Sequence, residues 1–198
     1  MSRFKLAREC DYDESSKHNI DKFSGLKVWE SAHDLCVYLD TIDWAPISSV
    51  LEIGCGHGLP GLVALLQGKQ VTFQDYDEAT LTRTRETLLL NGGNLAKATF
   101  VASSWQNLLL DTKFDLILCS EAVYDTEQFQ VLSEIIAASL APGGRGLVAG
   151  KLFYFGCGGG TLGFADFLGK AGKFDVSSVK SIEDKQSNIR EILQVRLL

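Results

Sequence analysis

Hydrophobic residues along this chain follow two alternating periods. Short apolar runs at residues 50–53, 70–75, 98–102, 114–120 and 147–149 read as strands. Between them apolar side chains recur at helical spacing. Val28, Ala32, Leu35, Cys36, Leu39 and Ile42 predict a helix that opens near Gly25 and is ended by Trp44 and Pro46. After the glycines, Leu62-Val63-Ala64-Leu65-Leu66 opens a helix, and Pro60 suits its first turn. Asp77 and Glu78 start another with acid in its first turn, as the helix dipole favours, and Asn91-Gly92-Gly93 stops it. Phe129, Leu132, Ile135, Ile136 and Leu140 predict an amphipathic helix over 126–141, stopped by Pro142-Gly143-Gly144. A helix over 161–171 and two alternating stretches, 174–182 and 189–198, close the pattern. Strands alternating with helices imply a parallel sheet. The predicted fold is α/β: a Rossmann-like, seven-stranded, mostly parallel sheet with an antiparallel C-terminal strand pair and helices on both faces. Residues 25–198 make the domain, and the polar residues 1–24 read as a mobile lead-in.

Composition narrows the possible partners. At 198 residues the chain buries a full core without staples. Its net charge of −6 argues against a general nucleic-acid or anionic-membrane binder, while a basic protein partner stays open. Five cysteines, an odd number with no C-x-x-C pair, fit free thiols in a reducing compartment; no metal site is expected. No apolar run approaches the roughly 20 residues of a membrane span, and the opening residues do not read as a signal peptide.

The chemistry concentrates where the first strand ends. Val50-Leu51-Glu52-Ile53 runs into Gly54-Cys55-Gly56-His57-Gly58-Leu59-Pro60-Gly61. Glycines let backbone approach a ligand without Cβ atoms in the way, and a helix start beside them presents free amides. By letter, 56–61 fit the dinucleotide fingerprint G-x-G-x-x-G. The first glycine of the cluster, however, is Gly54, with Glu52 two residues before it. The full pattern is Glu-x-Gly-x-Gly-x-Gly, similar to motif I of class I S-adenosylmethionine-dependent methyltransferases. Asp75 ends the second strand 21 residues after Gly54, where an acidic side chain can accept from ribose hydroxyls; a strand-end turn is the alternative. Trp105, after Ser103-Ser104, either lies on a purine face or packs in the core. Ligands of open α/β sheets bind at strand C-termini, so Glu121 and Tyr124 after the fourth strand should face the reacting group. The loop 151–160 carries Gly156 and Gly158-Gly159-Gly160 between aromatics and reads as a hinged lid, a substrate wall or a plain connection.

Taken together, Gly25-Leu26-Lys27-Val28-Trp29-Glu30-Ser31-Ala32, the 50–56 motif, Phe73-Gln74-Asp75-Tyr76, Ser120-Glu121-Ala122-Val123-Tyr124 and the Tyr154-Phe155-Gly156 loop resemble the protein-histidine N-methyltransferase family. The resemblance runs from about residue 25 to the C-terminus. It implies S-adenosylmethionine as cofactor, with S-adenosylhomocysteine as product. It implies cofactor contacts from Val28, Trp29, Glu30, Ser31, Ala32, Gly54, Gln74, Asp75, Tyr76, Ser103, Ser104, Trp105 and Ser120, to which the glycine motif itself adds Glu52, Gly56 and Gly58. It further implies a histidine of a large-subunit ribosomal protein as acceptor, in a cytoplasmic and nuclear setting. Ser103-Ser104 departs from the Gly-Glu expected before Trp105, and the N-terminal extension is shorter than in that family.

Methyl transfer needs a neutral nucleophile held on the methyl axis. Imidazole, with a pKa near 6.5, meets that need at pH 7. Glu121, Tyr124 or Tyr154 is the candidate catalytic group that would fix its tautomer. A lysine acceptor, as in related lysine methyltransferases, would need deprotonation from a pKa near 10.4. The fourth-strand exit has no proline, so it lacks the pattern of enzymes methylating nucleic-acid bases. A non-catalytic cofactor-binding subunit and a nicotinamide enzyme remain alternatives. A monomer is expected.

Overall fold

The computed structural model describes residues 4–6, 27–184 and 188–198. Helix α1 (Glu30–Leu39) leads into strand β1 (Ser49–Ile53), α2 (Leu59–Leu66), β2 (Gln70–Asp75), α3 (Glu78–Leu90), β3 (Ala98–Ala102) and β4 (Phe114–Ser120). Helix α4 (Phe129–Ser139), β5 (Leu140–Lys151), α5 (Thr161–Ala171), β6 (Phe174–Ile182) and β7 (Arg190–Leu197) follow. The strands form one sheet in the order β3-β2-β1-β4-β5-β7-β6. Strands β1 to β5 pair in parallel, and β7 runs antiparallel to both β5 and β6. This matches the predicted architecture.

The alternation of side chains along each strand splits the core in two. On one face Val50, Val71, Phe73, Leu116 and Leu118 pack with Leu35, Leu39, Leu62 and Leu88 of α1 to α3. On the other, Leu51, Ile53, Ile117, Cys119 and Val148 meet Leu132 and Ile136 of α4 and Phe164 and Leu168 of α5. Because both faces are covered, the central strands show apolar runs with no polar alternation. Chain order reverses between β1 and β4, so a crevice opens at their carboxyl ends. Buried Arg190 ties α1 to the far edge of the sheet, pairing with Asp34 of α1 and, at 2.7 Å, with Asp184.

Two boundaries differ from expectation. The first helix begins at Glu30 and stops at Leu39, so Val28 and Trp29 precede it and Ile42 follows it. The indole N–H of Trp44 donates to the Leu39 carbonyl (3.1 Å), satisfying a helix-end acceptor that a longer helix would have used. The fourth helix ends at Ser139, and Pro142-Gly143-Gly144 lie inside β5 instead of terminating the helix. Leu140 pairs with Phe114 and Arg145 with Leu116, so residues 141–144 loop out as a bulge. Proline lacks the amide a ladder requires, and the bulge accommodates it.

The lead-in predicted over 1–24 falls largely outside the described residues. Phe4 and Leu6 pack against the α1–α3 side of the core, and the Lys5 amide donates to Asn91 Oδ1 (2.8 Å) at the end of α3. His18, expected from the sequence to be solvated, and Cys10, one of the five cysteines, lie outside the described residues. Cys36, Cys55, Cys119 and Cys157 carry free thiols. No helix among the described residues is long and apolar enough to cross a membrane.

Candidate active site

The crevice at the β1/β4 reversal is a cleft of about 330 Å³, within the size range of small-molecule sites. Its lining gathers residues from five chain segments. Val28, Trp29 and Ala32 come from the start of α1; Gly54, Gly56 and Gly58 from the glycine loop; Gln74, Asp75 and Tyr76 from the end of β2. Ser104 and Trp105 come from beyond β3, and Ser120, Glu121 and Tyr124 from the β4 exit.

The glycine loop is held from beneath. Gly54, Gly56 and Gly58 all have positive φ, a region open to glycine without steric cost. Glu52 is buried, and its Oε2 accepts from the Gly61 amide (2.8 Å) in the first turn of α2. No Cβ fits at Gly61: it would meet Glu52 Oε2 and the Phe73 ring at 2.4 Å. Burial pushes the Glu52 carboxyl up from 4.5 to about 8, against the opposing Gly61 amide and with help from the Asp75 charge. Glu52 does not line the cleft; it fastens strand to helix so that the glycines keep their path.

Gln74 and Asp75 fix the loop from the second strand. Gln74 Oε1 accepts from the Gly54 amide and from the Trp105 indole, both at 3.1 Å, while its Nε2 donates to the Ser103 carbonyl (2.7 Å). One buried amide thus links the ends of β1, β2 and β3. Ser103 acts through that carbonyl and is not part of the lining. Asp75 accepts from the Gly56 amide (3.1 Å) and the Asp77 amide (3.3 Å). Burial raises its carboxyl above the ordinary value, opposed by the amides of Gly56, Asp77 and Tyr76.

The opposite wall is built from side chains far apart in sequence. Glu121 follows β4 with φ 56°, the one non-glycine positive φ among the described residues. Its Oε1 accepts from the Ser31 hydroxyl and the Ser31 amide (3.3 Å). Ser31 lies in the first turn of α1, so the carboxylate sits where helix amides lack partners and the dipole favours an anion. Glu121 Oε2 accepts from the Tyr154 hydroxyl (2.6 Å), whose oxygen accepts from the Lys151 amide (3.1 Å). Burial first, and the Glu121 carboxylate next, push the Tyr154 phenol above its ordinary value, so it remains a donor. Tyr124 stacks edge-on against Tyr154, centroids 6.3 Å apart. Tyr154 therefore reaches the cleft only through Glu121.

Glu30 and Ser31 are also absent from the lining. Glu30 approaches Lys151 (3.9 Å), and Ser31 is fully buried under Glu121. Conversely, Lys27, Cys55, His57, Gln106 and Gln128 line the cleft without having been singled out. Lys27 sits over the Trp29 ring (4.3 Å) and His57 Nδ1 faces Thr87 Oγ1 (3.4 Å). His57 stood in view inside the glycine motif, and Gln106 next to Trp105; nothing in the local sequence marks Gln128. Cys55 and Cys119 are held well above the ordinary thiol value by burial, Cys119 at about 12, which makes them poor nucleophiles.

The loop 151–160 contributes no residue to the cleft lining and is tied to the β4 exit by backbone bonds. The Tyr154 amide donates to the Gly159 carbonyl (3.0 Å), and the Gly159 and Gly160 amides donate to the carbonyls of Tyr124 (3.0 Å) and Val123 (2.7 Å). A Cβ at Gly159 would lie 2.4 Å from the Tyr124 backbone. Glycine is required because two backbones touch here.

This sheet order, with a glycine loop facing an acidic strand end at the reversal point, is the arrangement expected from the resemblance to class I S-adenosylmethionine-dependent methyltransferases. The lining fits that cofactor: glycine backbone without Cβ atoms, a carboxylate at the β2 terminus, and an aromatic flank at Trp29 and Trp105. The chain belongs to the lysine methyltransferase family, whose model matches residues 14–152. It is 39% identical over 177 residues to histidine protein methyltransferase 1 homolog of Dictyostelium discoideum, covering 86% of this chain and 57% of that protein. It is 28% identical over 149 residues to EEF1A lysine methyltransferase 3 of Mus musculus, covering 72% of this chain and 63% of the relative. The chain thus spans between half and two thirds of the relatives' length. The glycopeptide N-methyltransferase MtfA, solved with S-adenosyl-L-methionine, shares the fold at TM-score 0.58 and 12% identity, over 84% of this chain and 92% of that one.

Proposed function

We propose that this chain transfers a methyl group to a ring nitrogen of a histidine in a protein. The observation that carries the reading is Glu121 on the lining of the cleft, held from behind by Ser31 and Tyr154, together with 39% identity to a protein named for histidine methylation. Bound S-adenosylmethionine supplies a sulfonium methyl group and leaves as S-adenosylhomocysteine. The chain's own task is to hold a neutral acceptor in line. Imidazole at pH 7 offers a lone pair on one nitrogen and an N–H on the other. The Glu121 carboxylate, fixed by Ser31 and Tyr154, accepts from that N–H, sets the tautomer and steadies the charge that develops as the new N–C bond forms. The ring proton then leaves along the same hydrogen bond. Glu121 and Tyr124 face the acceptor, and Tyr154 positions Glu121.

The same reading places the cofactor against Val28, Trp29, Ala32, the glycine loop, Asp75, Tyr76, Ser104, Trp105 and Ser120. It takes a large-subunit ribosomal protein as the acceptor, a cytoplasmic and nuclear setting and a monomeric enzyme. A lysine acceptor is the second reading, favoured by the family model's description and by the lysine methyltransferase relative. Calorimetry with S-adenosylmethionine, S-adenosylhomocysteine and NAD comes first, with micromolar binding of the first two alone as the expected result. RNA-free large-subunit ribosomal proteins are then incubated with labelled cofactor and hydrolysed. Methylhistidine supports the proposal, methyllysine alone moves the assignment to the second reading, and no cofactor binding overturns both.

A further inference from the structure

Beside the cleft the 151–160 loop presents an unusual outer surface. Phe155 is 85% exposed and Phe153 53% exposed, on a loop whose own backbone is firmly tied down. Between them Phe153, Tyr154, Phe155, Gly156 and Gly158 border a shallow groove. Gly156 and Gly158 have open space where a Cβ would stand. Two exposed phenylalanines on a rigid ledge cost free energy in water unless something covers them.

The ledge is continuous with the reacting end of the cleft. Tyr154 borders the groove and donates to Glu121 at 2.6 Å, and Gly159 is bonded to the Tyr124 carbonyl. A protein that presents a side chain to Glu121 and Tyr124 therefore rests its neighbouring backbone on this ledge. The adjoining rim is acidic: Asp125 forms a β-bridge to Gly158, and Glu127 is exposed two residues on. Among the described residues Lys151 lies beside the ledge, 5.9 Å from the Tyr154 ring centroid, and it faces Glu30. A second copy of this chain would bring two acidic rims together, which like-charge repulsion opposes. A basic segment meets both features, its alkyl stems and cations covering the rings and its charge answering Asp125 and Glu127.

We infer that the Phe153–Gly158 ledge is the docking surface of the acceptor protein and takes a basic segment flanking the methylated residue, with Phe155 as the apolar anchor. This rests on the protein-methyltransferase reading above. Phe155→Ala removes an exposed ring and should leave folding and cofactor affinity unchanged.

The test uses RNA-free large-subunit ribosomal proteins as acceptors and two synthetic peptides with one central histidine, flanked by lysines in one and glutamates in the other. The expected result is an acceptor KM raised about tenfold in Phe155→Ala with kcat unchanged. The lysine-rich peptide should bind the wild-type chain and lose about tenfold with Phe155→Ala, and lose affinity with Glu127→Lys, while the glutamate-rich peptide binds neither. An unchanged acceptor KM in Phe155→Ala overturns the ledge as docking surface while leaving the enzyme reading intact. A wild-type chain that methylates no protein defeats that reading, and equal binding of the two peptides then defeats the ledge as well. Concentration-dependent dimerisation of the wild-type chain that Phe155→Ala abolishes would assign the surface to a second copy and overturn the proposal.

Discussion

The two walls of the cleft are built in opposite ways. The cofactor wall is local: Glu52, the three glycines and Gly61 span ten residues, and the bonds that shape the loop run largely through backbone amides. The wall proposed for the acceptor is assembled at long range. Ser31 and Glu121 stand 90 residues apart, and Glu121 and Tyr154 stand 33 apart. A backbone-built wall depends on the absence of side chains, whereas a side-chain wall depends on three particular groups meeting. The first tolerates no added volume; the second tolerates no lost partner.

Adding one methyl group to each wall separates them most sharply. Gly61→Ala drives a Cβ into Glu52 and Phe73, and is expected to cost about 3 kcal/mol and to abolish cofactor binding. Gly159→Ala meets the Tyr124 backbone instead, and is expected to abolish turnover while cofactor affinity stays within a few-fold. Thermal melts and calorimetry on both variants check this. Equal loss of cofactor binding in the two would mean that the walls are one unit.

Removing a partner comes next. Glu121→Ala leaves the buried Ser31 hydroxyl and the Tyr154 phenol without their acceptor, costing about 2 kcal/mol of stability and about 100-fold in kcat. Glu121→Gln keeps an oxygen for Ser31 and should recover most of the stability with little of the rate. If it recovers both, Glu121 is a helix clamp and Tyr124 becomes the group that orients the acceptor.

Asp75→Asn tests the cofactor wall without adding volume. An amide oxygen can still accept from Gly56, so folding is expected to hold. Cofactor affinity should fall about tenfold through the lost charge-assisted bonds. Calorimetry with S-adenosylhomocysteine reads this directly, and an unchanged affinity would remove Asp75 from the site.

The smallest effect is a pH slope. The Glu52 carboxyl titrates at about 8 in the folded chain, against 4.5 for the ordinary group. The folded state therefore holds a proton that the unfolded state has released across that window. Stability from the neutral carboxyl is fully present below 4.5 and is lost as pH rises through about 8. Glu52→Gln should flatten that fall. Urea midpoints taken across the window decide it, and identical slopes in the two proteins would mean that Glu52 is ionised in the folded chain.

Local signals carried the cofactor wall. A glycine cluster after an apolar run needs no tertiary information, because glycine is selected by the backbone path itself. The same holds for Asp75, which a regular strand–helix unit delivers to the end of β2. Pro142-Gly143-Gly144 misled because these residues signal a break without saying which element breaks: here they bulge a strand and leave the helix to end two residues earlier. Trp44 does end α1 as expected, but earlier than its place in the chain suggests, since its indole folds back to donate to the Leu39 carbonyl.

By itself the sequence determined the α/β alternation, the parallel sheet with its antiparallel end, and the glycine path at the end of β1 where the cofactor is proposed to bind. Those features follow from periodicity and from residue types with narrow backbone preferences, both of which act over a few residues. Only the tertiary structure decided that Ser31 serves Glu121 instead of lining the cleft, that Tyr154 acts through that carboxylate, and that the glycine-rich loop is a bonded ledge. Each of these depends on which distant side chains the strand order brings within hydrogen-bond reach, and no local pattern encodes a distance across the sheet.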